Sequence, residues 1–511
     1  MPRASRSRRW VAALLCPILA VASPVAPAQV QNLPDLGEES AGVLSPQMER
    51  RIGESYYRDL RRDPAYLDDP ELKAYCEELG RRLIAAGPEP GLDVEFFLMR
   101  DATINAFAML GGFVGINSGL LLAAQSESEA ASVVAHELGH LTQRHIARSV
   151  SAAQRSSMAS MVAMALALLA ARSNSQAAAG AIAGAQAFQV QSQLAYSRDF
   201  EREADRVGFD TLQKAGFDVT AMPSFFERLQ RAGRAYDSNA PVYVRSHPLT
   251  TERIADVRNR AQAVRYRQHV DSLGFHLVRA KLRATAETGV DGVRDALRHF
   301  GTQLAERTYA SEPAARYGLA QAQLMARDHA AAARTLAQIP REAAHPMIDA
   351  LTARVKAAAG DQAGAIAIYR GALARNPGVR YLELALVDAL QSAGRHAEAL
   401  DLLAVQARSH RGDPRVFELQ AKSFAATGRT LAQHQALGEY YTLTAGPQAA
   451  LEQFQIARCA GGDFYQQSIL DARIRQTWER VLAERADRGE TKDGAGRAPA
   501  ERSAPPPVRC P

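Results

Sequence analysis

His136, Glu137 and His140, in the run His136-Glu137-Leu138-Gly139-His140, are the residues whose types and spacing point most directly to chemistry. On an α-helix, positions i and i+4 project from one face about one turn apart. Two imidazoles so placed can close on one Zn²⁺, and a carboxylate between them can reach a water on that ion. The window Ala130–Ala147 reads as helix, because Ala130, Val133, Val134, Leu138 and Leu141 form an apolar stripe and no proline interrupts it.

Five residues of this kind recur by chance, so a third ligand is needed. A histidine ten residues after the first is excluded, because Ile146 stands there. His145 lies nine residues after His136, about 180° around a continuous helix, and is expected to pack or to bond in the outer sphere. The segment Phe200-Glu201-Arg202-Glu203-Ala204-Asp205 offers the alternative. Glu201 and Asp205 are i and i+4. Glu201 would bind the metal, Asp205 would accept a hydrogen bond from a ligand imidazole, and Ala204 would let two helices close up. Glu203 points elsewhere and is expected in solvent. No cysteine lies near these residues, which argues against thiol catalysis.

Several elements must position this set. Ser45-Pro46 and Asp69-Pro70 have the form of helix starts, a capping side chain followed by proline in the first turn. The first helix is expected to bury Met48, Ile52, Tyr56 and Leu60, and the second to run to about Ala86. After the turn Pro88-Glu89-Pro90-Gly91, Val94–Met99, Ile104–Met109 and Phe113–Asn117 are candidate strands of a small sheet. A strand beside the motif helix can offer its edge to an extended peptide or be merely structural. Met158–Ala171 is the most apolar later stretch and too short to span a bilayer. A buried helix, a flap and a surface-lying helix all remain open for it.

From about residue 270 the pattern changes. Gly360-Asp361, Gly394-Arg395 and Gly428-Arg429 recur every 34 residues (394 − 360 = 34; 428 − 394 = 34), and Ala326-Arg327 and Gly462-Asp463 extend the step. A 34-residue period of helix–turn–helix units is the tetratricopeptide signature. Such arrays curl into a superhelix whose concave face commonly receives a protein.

The ends have their own logic. Arg3, Arg6, Arg8 and Arg9 precede an apolar run from Trp10 to about Ala22 and then Ala26-Pro27-Ala28, the form of a secretory signal cleaved after Ala28. A retained anchor is the weaker reading, since the run is shorter than a span requires. The net charge of 511 residues is +6, and those four arginines supply most of it. No basic footprint for nucleic acid is left. Cys76, Cys459 and Cys510 remain after cleavage, an odd count with three possible pairings in an oxidising compartment. The segment 485–511, with mixed charge and Pro505-Pro506-Pro507, is expected to be disordered.

The combination Asn105-Ala106-Phe107-Ala108, Gly111-Gly112, Gly119-Leu120-Leu121, His136–His140, Arg144-His145, Glu201-x-x-Ala204-Asp205 and Ser246-His247-Pro248 resembles the M48 zinc metallopeptidase family. The resemblance implies one Zn²⁺ per chain held by His136, His140 and Glu201, Glu137 as general base, and Asp205 in support. It implies a mainly α chain: an α+β metallopeptidase domain with a small sheet (45–268), followed by an α-solenoid of tetratricopeptide repeats (269–484). The signal (1–28), an irregular arm (29–44) and the tail complete the division. Asn105 is a candidate contact to the substrate strand. His247 is either a removable fourth ligand that keeps the enzyme latent or a group that stabilises the oxyanion, and Arg253 either serves the oxyanion or pairs with an acid. With a cleaved signal and a repeat array, the resemblance implies a periplasmic endopeptidase, with a chaperone role, in outer-membrane quality control. Its expected partners are unfolded or misassembled outer-membrane proteins and the β-barrel assembly machinery. A peripheral membrane contact is open to it, and a non-proteolytic chaperone or adaptor is the alternative.

Overall fold

The computed structural model describes residues 44–153, 197–235, 243, 246–287, 289–409, 412–487, 508 and 510. The expected signal and nearly all of the arm fall outside them, as does the apolar stretch 158–171.

The first helix, Pro46–Leu60, starts where Ser45 accepts from the Met48 N–H, and the second, Pro70–Ala86, where Asp69 accepts from Glu71 and Leu72. The buried face of the first helix differs from the sequence expectation. Met48 and Tyr56 are exposed, whereas Glu49 and Gly53 are buried. The cause is a close crossing: a Cβ at Gly53 would run into the Leu110 carbonyl. Tyr57 then takes the inward position against Phe97 and Phe113.

Three strands follow, β1 (Glu95–Met99), β2 (Ala106–Met109) and β3 (Phe113–Asn117), within two residues of the sequence reading. The order is β1-β3-β2, with β1 parallel and β2 antiparallel to β3. Thus β2 lies at the edge, beside the motif helix.

The motif helix, Glu127–Thr142, is capped by Ser126, which accepts from Glu129, while the Glu129 side chain accepts from the Gln125 N–H at 2.6 Å. It stops at Thr142 instead of continuing to Ala147. Arg144 takes a left-handed φ of 51°, and a new helix runs from 145 to 153. A left-handed conformation costs a residue with a Cβ about 1–2 kcal/mol. Two hydrogen bonds from the Arg144 guanidinium to the Glu49 carboxylate, and a third to the Leu44 carbonyl, offset that cost.

A helix over 197–214 crosses the motif helix closely. A Cβ at Gly139 would lie 2.9 Å from the Ala204 carbonyl oxygen, and one at Gly208 would lie 3.0 Å from His136 Cα. Small residues on both sides bring the two helices near enough for their side chains to share one centre.

Paired helices run from Leu273 to Asp487. Arg327, Gly360, Gly394, Gly428 and Gly461 take positive φ at the turns inside the pairs. The inner steps are 34, but the outer ones are 33 (360 − 327 = 33; 461 − 428 = 33). The array is wound onto the N-terminal part: one apolar core is continuous from Leu72 to Leu419. Within that contact the buried Glu71 carboxylate meets Lys281 at 2.8 Å, the Tyr317 hydroxyl at 3.1 Å, and Arg354. Arg58 of the first helix meets Glu484 of the last at 3.1 Å. The final helix continues to Asp487, Val508 packs on an apolar cluster around Phe454 and Leu470, and Cys510 is joined to Cys459. Cys76 is a free, buried thiol.

Candidate metal centre and active site

His136, His140, Glu201 and His247 converge, each offering one ligand atom, with all four atoms within 4.8 Å of one another. His136 Nε2 and His140 Nε2 are 3.0 Å apart, and each lies 3.4 Å from a Glu201 oxygen. His247 Nδ1 lies 3.4 Å from His136 Nε2 and 3.0 Å from Glu201 Oε1. A tetrahedron with bonds of about 2.0–2.1 Å has edges of about 3.3–3.4 Å. The donor set therefore fits a small tetrahedral cation with nitrogen and oxygen ligands.

The electrostatics agree. Burial alone would lower the His136 imidazole, but hydrogen bonds to the Asp205 and Glu201 carboxylates push it up to about 10. The side chains thus hold a field that favours positive charge at this point. Burial opposes ionisation of Glu201, yet hydrogen bonds from His136, His140 and His247 keep it far below the ordinary carboxylate range. Asp205 behaves alike under Arg253 and His136.

Asp205 Oδ1 lies 2.9 Å from His136 Nδ1, which aims the opposite nitrogen at the centre. Arg253 then closes on Asp205 with two bonds of 2.7 and 2.8 Å, reaches Glu201 at 2.8 Å and donates to the Pro248 carbonyl at 2.8 Å. It is an acid-pairing residue that also ties down the loop carrying His247. The spacing of charges in the sequence left both roles of Arg253 open; the three-way contact decides for pairing.

Glu137 is buried. Its Oε2 accepts from the Ala108 N–H of β2 at 3.1 Å, while its Oε1 has no hydrogen-bond partner and lies 3.5 Å from His247 Nε2. One oxygen is fixed and the other is free for a proton. Asn105 sits immediately before β2, and its Oδ1 is buried without a hydrogen-bond partner.

One expectation changes, and His145 takes the outer-sphere role expected of it. Glu203 does point away from the metal donors, but it is not simply solvated: His145 Nε2 lies 3.1 Å from it and Arg148 donates to it at 2.8 Å. The break at Arg144 turns His145 back, so that its Nδ1 lies 2.9 Å from His140 Nδ1. Tyr243 was not singled out by the sequence. It is fully buried, stacks on His247 at 4.8 Å and leaves its hydroxyl without a hydrogen-bond partner. A lone tyrosine in a loop carries no spacing signal.

The model for peptidase family M48 matches residues 69–261, and a tetratricopeptide model matches 356–423. A β-barrel assembly-enhancing protease of Escherichia coli is 33% identical over 474 residues, covering 90% of this chain and 94% of that protein. This chain belongs to peptidase family M48. The M48 relatives include a second β-barrel assembly-enhancing protease, from Yersinia pestis, at 31% identity over 82% of this chain and 87% of that one. A mitochondrial metalloendopeptidase of Schizosaccharomyces pombe is 27% identical over 42% of this chain and 61% of its own length. Among the described residues, no helix is long and apolar enough to cross a membrane.

Proposed function

We propose that this M48 metalloprotease is a periplasmic zinc endopeptidase that removes misfolded or stalled outer-membrane β-barrel proteins. The observation that carries the catalytic part is the pairing of a convergent His136–His140–Glu201 donor set with a bare, buried Glu137 oxygen beside it. A structural metal site needs no such base.

His136, His140 and Glu201 would hold the ion. Bound Zn²⁺ supplies Lewis acidity, which polarises the scissile carbonyl and makes an attacking water acidic near neutral pH. Glu137 then does the proton work. Its Oε2 stays on the Ala108 N–H, so Oε1 takes the proton from the water and returns it to the leaving nitrogen. Asp205, held by Arg253, keeps the His136 ring in the orientation and tautomer that the metal requires. The edge of β2 can pair with an extended peptide through backbone bonds, which suits a protease that reads unfolded chain more than side chains. Asn105, just before that edge, would be the contact to the substrate strand, its unpartnered Oδ1 accepting a substrate N–H.

His247 fills the fourth corner of the donor set, where substrate would have to enter. That position favours a latch over an oxyanion group. The clients, the assembly machinery and the periplasmic setting are supported by the names of the E. coli and Y. pestis relatives and by the basic, apolar, Ala-x-Ala start of the chain. The same domain division, 45–268 for chemistry and 269–484 for docking, goes with this reading.

Glu137→Gln separates proteolysis from adaptor function. The variant should retain stoichiometric zinc and lose cleavage of unfolded barrel protein. Full restoration of outer-membrane assembly by that variant, in cells lacking the parent, would favour the non-proteolytic adaptor.

A further inference from the structure

The two imidazoles of the motif lean on different supports. His136 rests on Asp205, a carboxylate neutralised by Arg253. His140 rests on another ring: His145 Nδ1 lies 2.9 Å from His140 Nδ1, and His145 Nε2 lies 3.1 Å from Glu203 Oε2. His145 is buried, and its ring stacks on Phe200 at 4.5 Å and 17°. Glu203 is about a third exposed, at 37%, and is also held by Arg148 at 2.8 Å. The left-handed Arg144, pinned by Glu49, creates the turn that brings His145 to this position.

The hydrogen positions follow by elimination. His140 can offer Nε2 to a metal only if its proton sits on Nδ1. That proton faces His145 Nδ1, which must then be bare. A neutral His145 therefore carries its proton on Nε2, where Glu203 accepts it. Every donor on the line meets an acceptor, and no other order leaves His140 Nε2 free.

We propose that His145 and Glu203 form a hydrogen-bond relay that positions His140 and fixes its tautomer, making His145 a positioning residue of the site. This rests on the reading of His136, His140 and Glu201 as metal ligands. Because a whole ring separates Glu203 from His140, the ring matters more than the carboxylate charge. An amide oxygen at 203 could still accept from His145 Nε2.

The test is Zn²⁺ affinity, by competition with a chromophoric chelator, for the parent chain, His145→Phe and Glu203→Gln. Phenylalanine keeps the ring volume and the stack on Phe200 but removes both nitrogens. His145→Phe should bind zinc about 10–100-fold more weakly, the usual cost of losing an outer-shell partner, and Glu203→Gln should lose less than about tenfold. Unchanged affinity in a folded His145→Phe chain overturns the relay while leaving the ligand assignment intact. A parent that takes up no zinc overturns the ligand assignment and the relay with it. Should His145→Phe fail to fold, the parent decides through ¹⁵N-histidine spectra of the zinc-loaded chain. His145 protonated at Nε2 and bare at Nδ1 is the expected state, and a proton on His145 Nδ1 is the contrary one.

Discussion

Glu71→Gln should weaken the joint between the peptidase part and the repeat array by about 3 kcal/mol at pH 7. Glu71 is only 4% exposed and faces Lys281, Tyr317 and Arg354 from three different helices of the array. Burial raises its proton affinity, but Arg354 and Lys281 more than reverse this, taking the carboxyl from 4.5 to about 2. At about 1.4 kcal/mol for each tenfold in proton affinity, the change is worth about 3 kcal/mol. Removing one partner of a buried ion pair typically costs about 3–5 kcal/mol, a similar size. A carboxyl whose folded value lies below its unfolded one stabilises the fold fully above about 4.5. That contribution is lost as pH falls through about 2. Urea unfolding followed by circular dichroism, for parent and variant at pH 7 and again at pH 3, measures both statements. The gap between the two chains should be near its full size at pH 7 and less than half of it at pH 3, because below about 4.5 the unfolded chain is protonated at Glu71 and the folded carboxyl must be ionised against that. A variant within about 1 kcal/mol of the parent at pH 7, or a gap that does not shrink at pH 3, would refute the reasoning.

Other outcomes follow from the same contacts. Asp205→Asn should lower zinc affinity about 10–100-fold, since it leaves Arg253 with a single carboxylate partner and removes the anion behind His136; isothermal titration with zinc checks it. His247→Ala should raise the rate of casein cleavage if the fourth corner is a latch, and a large fall in rate would assign His247 to the oxyanion instead. Cys459→Ser should cost about 2–4 kcal/mol in the last repeats, because the bond ties residues 51 apart and holds Val508 near the Phe454 cluster. Faster amide exchange confined to Pro447–Asp487 is the expected sign, and unchanged exchange there is the contrary result.

The parts that were legible in the sequence are those whose signals are local. Ser45 and Asp69 cap the helices they precede, and β1, β2 and β3 fall on short apolar runs bounded by turn residues. The donor set was legible because two i, i+4 patterns, His136/His140 and Glu201/Asp205, each define one helix face. What was hidden depends on distant partners. Arg144 breaks the helix because Glu49, 95 residues away, holds its side chain, and without that break His145 could not reach His140. The first helix turns Gly53 inward because Leu110 crosses there, which no periodicity in 46–60 records. Glu71 meets Lys281 and Arg354 across 210 and 283 residues, so the winding of the array onto the peptidase part left no local trace. Counted from the residue after each C-cap, the outer turns fall one short of the 34-residue step, at Arg327 and Gly461, while Gly462, on the step, also takes a positive φ.

Metal analysis of the purified chain, paired with digestion of an unfolded barrel protein before and after chelation, addresses the hydrolytic centre most directly. One zinc per chain is expected, with cleavage that stops on chelation, returns on adding zinc and is absent in Glu137→Gln. A chain that folds with no metal, or that cleaves equally well after chelation or without the Glu137 carboxylate, contradicts it.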